Sequence, residues 1–71
     1  MLVLGIDPGT ATTGFGFVRE QADGALEAVH YGVITTPART PMQDRLRQIY
    51  REITALITAY QPDAAAIEAL Y

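Results

Sequence analysis

The chain has 71 residues, 49% of them hydrophobic and 18% charged, with five basic residues against eight acidic ones and no cysteine. A domain of this size buries only about 60% of its unfolded surface, so one small core is all it can build. The composition excludes a disulfide frame and a thiolate metal site, and a bilayer span, for which no apolar run approaches the roughly 20 residues required.

The N-terminus, Met1-Leu2-Val3-Leu4-Gly5-Ile6-Asp7, has no basic flank, and its apolar run is too short for a signal peptide. A cytoplasmic location is therefore expected. Within this segment Leu2–Ile6 is nearly continuously apolar and ends at Asp7-Pro8-Gly9, which suits a strand buried on both faces and then a forced turn. Thr13–Val18 alternates, placing Phe15 and Phe17 on one face and Gly14 and Gly16 on the other. Glycines lined up on one strand face indicate a close approach to the backbone there. Asp23-Gly24 predicts a hairpin whose two central residues both take positive φ. A third strand from about Leu26 to Ile34 would return antiparallel to the second.

Met42, Leu46, Ile49, Ile53, Leu56 and Tyr60 follow at helical spacing and mark one apolar helix face. Thr40 is the expected N-cap, with Pro41 in the first helical position and Gln43 completing a capping box. Gln61-Pro62 ends the helix. The opposite face, with Asp44, Arg45, Gln48, Arg51 and Glu52, reads as solvated surface. Asp63–Glu68 contains three alanines, which favour helix by intrinsic propensity. Its short length after a proline-terminated helix points instead to a buried strand, closing a strand–helix–strand crossover parallel to the first strand. The predicted fold is α/β: three antiparallel strands, a helix, and a fourth strand parallel to the first.

In that topology Asp7 and Glu68 end two parallel strands at the same sheet edge, where open α/β sheets place their ligands. Neighbouring strands lie about 4.8 Å apart, so both carboxylates could flank a metal cluster. Their hard oxygens suit Mg2+ or Mn2+. A pair of such ions could position a water and balance the leaving oxygen of a phosphodiester. Two plainer readings stand beside this one: an Asp before Pro-Gly accepts turn hydrogen bonds, and a Glu at a strand end is solvated. His30, the one histidine, reads as a strand surface residue.

Leu4-Gly5-Ile6-Asp7-Pro8-Gly9-Thr10, with Thr13-Gly14-Phe15-Gly16 after it, resembles the opening of the RuvC-type Holliday-junction resolvases. Their first strand ends in G-I-D-P-G-[ST] and is followed by T-G-[YF]-G. The second block also matches: a leucine-containing helix, then Gln61-Pro62-Asp63 and Ala66-Ile67-Glu68, where the family carries Q-P-D and an A-I-E catalytic strand. The resemblance spans residues 1–71 and implies that they are the N-terminal part of a single ribonuclease-H-like nuclease domain. It further implies a homodimer that resolves four-way junction DNA beside a branch-migration helicase, with two Mg2+ or Mn2+ ions held by four acidic residues per subunit. Asp7 matches the first of those residues and Glu68 the second. Tyr71 matches an aromatic that contacts DNA near the junction, where ring–base stacking is worth about 1–3 kcal/mol. The family's other two acidic ligands and most of its basic surface lie beyond the matched residues. The chain alone is therefore expected to be catalytically incompetent, which also accounts for its acidity.

Two other readings compete. Actin-like ATPases and sugar kinases resemble Asp7-Pro8-Gly9-Thr10 in their first phosphate loop, where backbone amides hold phosphates. They also need a second glycine-rich loop, which this sequence lacks. An inactive, incomplete fold is the non-enzymatic reading, and its free sheet edge would invite pairing with another chain.

Overall fold

β1 (Leu2–Asp7) forms where the apolar run predicts it, with Leu2 and Leu4 buried and Asp7 exposed at its carboxyl end. β2 (Thr12–Glu20) and β3 (Leu26–Thr35) follow, then α1 (Met42–Tyr60) and β4 (Ala64–Ile67). The computed structural model describes residues 1–9 and 11–67. The strands make one sheet in the order β3-β2-β1-β4, antiparallel throughout except for the parallel β1–β4 pair. This is the mixed topology expected from the sequence.

The hairpin between β2 and β3 differs in its turn. Gly24 alone takes positive φ there, at 85°, while Asp23 does not. The Gly24 amide donates to the Gln21 carbonyl, the Gln21 amide donates to the Ala25 carbonyl, and the Asp23 carboxylate accepts from the Ala25 amide. The loop is thus three residues long and ends on a left-handed glycine. Asp23 stabilises it through its side chain, not through an unusual φ. A bulge between Phe17 and Val18 inserts one extra residue opposite, on β3, so His30 pairs with Phe17 and Ala28 with Val18. Val29 then turns in against the core.

That core is small. Leu2, Leu4 and Phe17 form its buried cluster, with Ile6, Phe15, Val29, Leu56 and Tyr60 packed around them. The Tyr60 ring lies on Phe17 at a centroid distance of 4.6 Å and an interplanar angle of 27°. His30 is exposed on β3, as expected for a surface residue, yet its ring stacks on Tyr60 at 5.3 Å and 8°. Gly32 gives Phe15 its place: a Cβ at Gly32 would come within 3.0 Å of the Phe15 ring.

α1 departs from expectation at its start. Its cap residue is Pro41, with φ −54° and ψ 146°, and no side-chain cap bond forms. The Pro41 carbonyl instead accepts from the amides of Asp44 and Arg45. Thr40 is drawn into the preceding turn, its amide donating to the Pro37 carbonyl and its own carbonyl accepting from Arg45 Nε at 3.0 Å. Arg45 also donates to the Ala38 carbonyl. Gln48 donates to the Thr35 carbonyl at 3.2 Å. Both residues were expected on a solvated face. They are half-buried and tie the helix to the end of β3, because a short connection brings its free carbonyls within reach of long side chains. Of the predicted apolar face, Leu56 and Tyr60 meet the core cluster and Ile49 and Ile53 are half-buried, but Met42 and Leu46 remain 51% and 55% exposed. Gln61 ends the helix in the left-handed conformation, its amide donating to the Ile57 carbonyl, and Pro62 prevents further turns. No helix among the described residues is long and apolar enough to cross a membrane.

Candidate active site

Asp7 is held at its position by the turn that follows it. Thr13, 2% exposed, donates its hydroxyl to the Gly9 carbonyl at 2.6 Å and pulls the Asp7-Pro8-Gly9 loop down onto β2. The loop is then so tight that a Cβ at Gly9 would lie 2.3 Å from the Thr12 carbonyl oxygen. A backbone oxygen cannot move aside as a side chain can. Gly9→Ala is therefore expected to lower stability by about 1–3 kcal/mol, the usual cost of overpacking. Urea denaturation checks this, and an unchanged midpoint would show that the loop has slack.

The Asp7 side chain stands over Gly14, where a Cβ would meet Asp7 Cβ at 3.6 Å. Gly5 and Gly16 continue the same face, floor of a shallow trough bounded by Tyr31, Val33 and Ala66. Cβ atoms at Gly5 and Gly16 would find their nearest described neighbours at an ordinary 3.8 Å, so none of the described residues demands glycine there. The phenylalanines face α1 and the glycines face away from it, as the alternation predicts. Among the described residues Asp7 is the one charged residue lining the trough, and none of them hydrogen-bonds to or pairs with its carboxylate.

The described parallel ladder ends one residue before the second predicted carboxylate in the sequence. Val3 pairs with Ala64, Leu4 with Ala65, Gly5 with Ala66 and Ile6 with Ile67. Asp7 follows Ile6 on β1, and Glu68 follows Ile67 in the sequence. Glu68 and Tyr71, like Thr10 of the opening motif, lie outside the described residues. Among the described residues no group of three or more His, Asp or Glu side chains gathers as a metal centre. Sequence reasoning missed Thr13 as the pin of the Asp7 loop, since its alternation marked it only as a strand residue. It also missed Asp63, whose Pro62-Asp63 step before a strand was the available signal.

The family model described as crossover junction endodeoxyribonuclease RuvC matches residues 3–71. The chain belongs to the RuvC family. The crossover junction endodeoxyribonuclease RuvC of Syntrophomonas wolfei is 56% identical over all 71 residues, which cover 41% of that relative. Among solved structures, Thermus thermophilus RuvC in complex with a Holliday junction substrate superposes with a TM-score of 0.90 at 27% identity, covering all of this chain and 45% of that one. The Aquifex aeolicus Ppx/GppA phosphatase matches 94% of this chain and 25% of its own with a TM-score of 0.70. Its 21% identity shows a shared fold alone. The chain thus spans less than half the length of the RuvC relatives it matches, and the ribonuclease-H-like sheet expected from the sequence is the RuvC arrangement. RuvC membership leaves the phosphate-loop alternative without support.

Proposed function

We propose that this chain is the N-terminal part of an endonuclease that resolves four-way DNA junctions by metal-dependent phosphodiester hydrolysis, with Asp7 as a metal ligand. The observation that carries the proposal is the exposed Asp7 carboxylate at the carboxyl end of β1, without a partner among the described residues and on a strand paired in parallel with β4, after which Glu68 follows in the sequence. A carboxylate of this kind supplies the hard oxygen that Mg2+ or Mn2+ takes, and Glu68 is the proposed second ligand. When bound, a pair of such ions would supply an activated water and neutralise the leaving oxygen. The chain's own contribution is positional: the Thr13–Gly9 bond holds Asp7 at the sheet edge, and the glycine floor leaves space beside it.

One carboxylate from each of two strands leaves the charge of two divalent ions incompletely balanced, so further acidic ligands from a longer RuvC polypeptide belong to the proposal. The RuvC resemblance adds a homodimer, a branch-migration helicase partner, a cytoplasmic setting and Tyr71 as a DNA contact. A cleavage assay on four-way junction DNA with Mg2+ tests the whole, comparing these 71 residues with a form extended to the length of the S. wolfei relative. Cleavage by the extended form alone is expected. If neither form cuts and the extended one hydrolyses ATP, the nuclease reading is lost.

A further inference from the structure

At the end of the β1–β4 pair remote from Asp7, Asp63 grips Leu2 twice. Its carboxylate Oδ2 accepts from the Leu2 amide at 2.7 Å, and its own amide donates to the Leu2 carbonyl at 2.8 Å. No other side-chain bond joins the two strands among the described residues. β4 itself does little to define its pairing. It is four residues long, its first three residues are alanines, none of the four is buried, and Ile67 is 70% exposed. Register is strongly specified only where a distinctive set of side chains must reach one buried face, and Ala64-Ala65-Ala66 offers no such set.

We propose that Asp63 is a positioning residue that sets the register of β4 on β1, and so determines how β4 arrives at the Asp7 end of the sheet. The consequence is large on the scale of metal chemistry. A slip of one residue displaces a strand by about 3.3 Å and exchanges its two faces, whereas ligand distances in a working site vary by only about 0.2 Å. A clamp at the start of a parallel pair governs the far end because each successive hydrogen bond inherits the offset of the one before it. The bearing of this clamp on metal binding rests on the reading of Asp7 and Glu68 as ligands; the clamp itself does not.

The test uses this 71-residue chain with Asp63→Ala, Asp63→Asn and Asp63→Glu, read by NMR. In the parent, cross-strand contacts between Leu4 and Ala65 and between Ile6 and Ile67 report the register. Asp63→Ala should weaken them and lower the exchange protection of β4 amides by about tenfold or more, the scale of a lost bond to a charged acceptor. The β1–β2 and β2–β3 contacts should persist. Asp63→Asn keeps an acceptor at the same reach and should resemble the parent. Asp63→Glu keeps the charge but is one methylene longer, and should resemble Asp63→Ala. Unaltered β4 contacts in Asp63→Ala would overturn the clamp. If Asp63→Ala unfolds the sheet altogether, the other two decide: a parent-like Glu variant beside a perturbed Asn variant would show that charge matters and the bond does not. Mn2+ broadening of resonances around Asp7 separates the clamp from the metal reading. Broadening that weakens in Asp63→Ala and returns in Asp63→Asn supports both. No broadening even in the parent, with the register effects intact, overturns the metal reading and leaves the clamp standing.

Discussion

Asp7→Asn in a form of the protein extended to the length of its RuvC relatives is expected to reduce metal-dependent junction cleavage by more than about a hundredfold, while junction binding stays close to the parent. Replacing groups that merely support a metal ligand already costs about 10–100-fold, so removing the charge of a ligand should cost more. Asparagine keeps the shape of the side chain, and Gly14 beneath it leaves the local packing undisturbed. Fold stability should therefore not change, and a matched thermal melt would establish that. Junction binding draws mainly on cations that meet phosphates, and Asp7 is not one of them. Cleavage within tenfold of the parent would remove Asp7 from the chemistry, whatever the RuvC membership of the chain.

The second large effect is on stability. Phe17 is fully buried, belongs to the three-residue core cluster and stacks on Tyr60 at the end of α1. Phe17→Ala should destabilise by about 3–5 kcal/mol, from lost transfer energy and the cavity left behind. A single core of this size rarely supplies more than about 3–5 kcal/mol in total, so the variant should be largely unfolded at room temperature. Urea titration followed by circular dichroism checks this, with Phe17→Leu as a milder comparison that keeps the site apolar. A cooperative transition for Phe17→Ala within about 1 kcal/mol of the parent would mean that α1 docks through contacts other than the Phe17–Tyr60 stack, a cost far below that of an ordinary core truncation.

These predictions draw on what a sequence of this kind specifies well. Leu2–Ile6, the Phe15/Phe17 alternation and the α1 spacing each place an element through its own periodicity, which depends only on neighbours along the chain. The parallel pairing of β4 was also legible from a short segment following a proline-terminated helix, although the strand expected to be buried has none of Ala64–Ile67 buried. The family resemblance rested on Leu4–Thr10 and Thr13-Gly14-Phe15-Gly16, followed in the right order by Gln61-Pro62-Asp63 and Ala66-Ile67-Glu68.

What the local pattern could not supply was where each element meets the others. Thr40 and Gln43 have the right types for a capping box, but Pro41 in an extended conformation moves the cap one residue on, and Thr40 enters a turn instead. Arg45 and Gln48 are polar residues on the polar side of a helix, and only the path of residues 35–40 turns them inward to its carbonyls. Met42 and Leu46 share the periodicity of Leu56 and Tyr60 yet stay exposed, because the core cluster lies under the other end of the helix. Thr13 and Asp63 acquire their roles from partners across a turn and across the sheet, the latter 61 residues away. Local periodicity and motif were therefore enough to place the elements in order and to bring out the family resemblance. The bond that braces the Asp7 turn and the one that joins Asp63 to Leu2 come from the fold, because a turn must close Thr13 onto Gly9 and the sheet must bring residues 61 positions apart within hydrogen-bond reach.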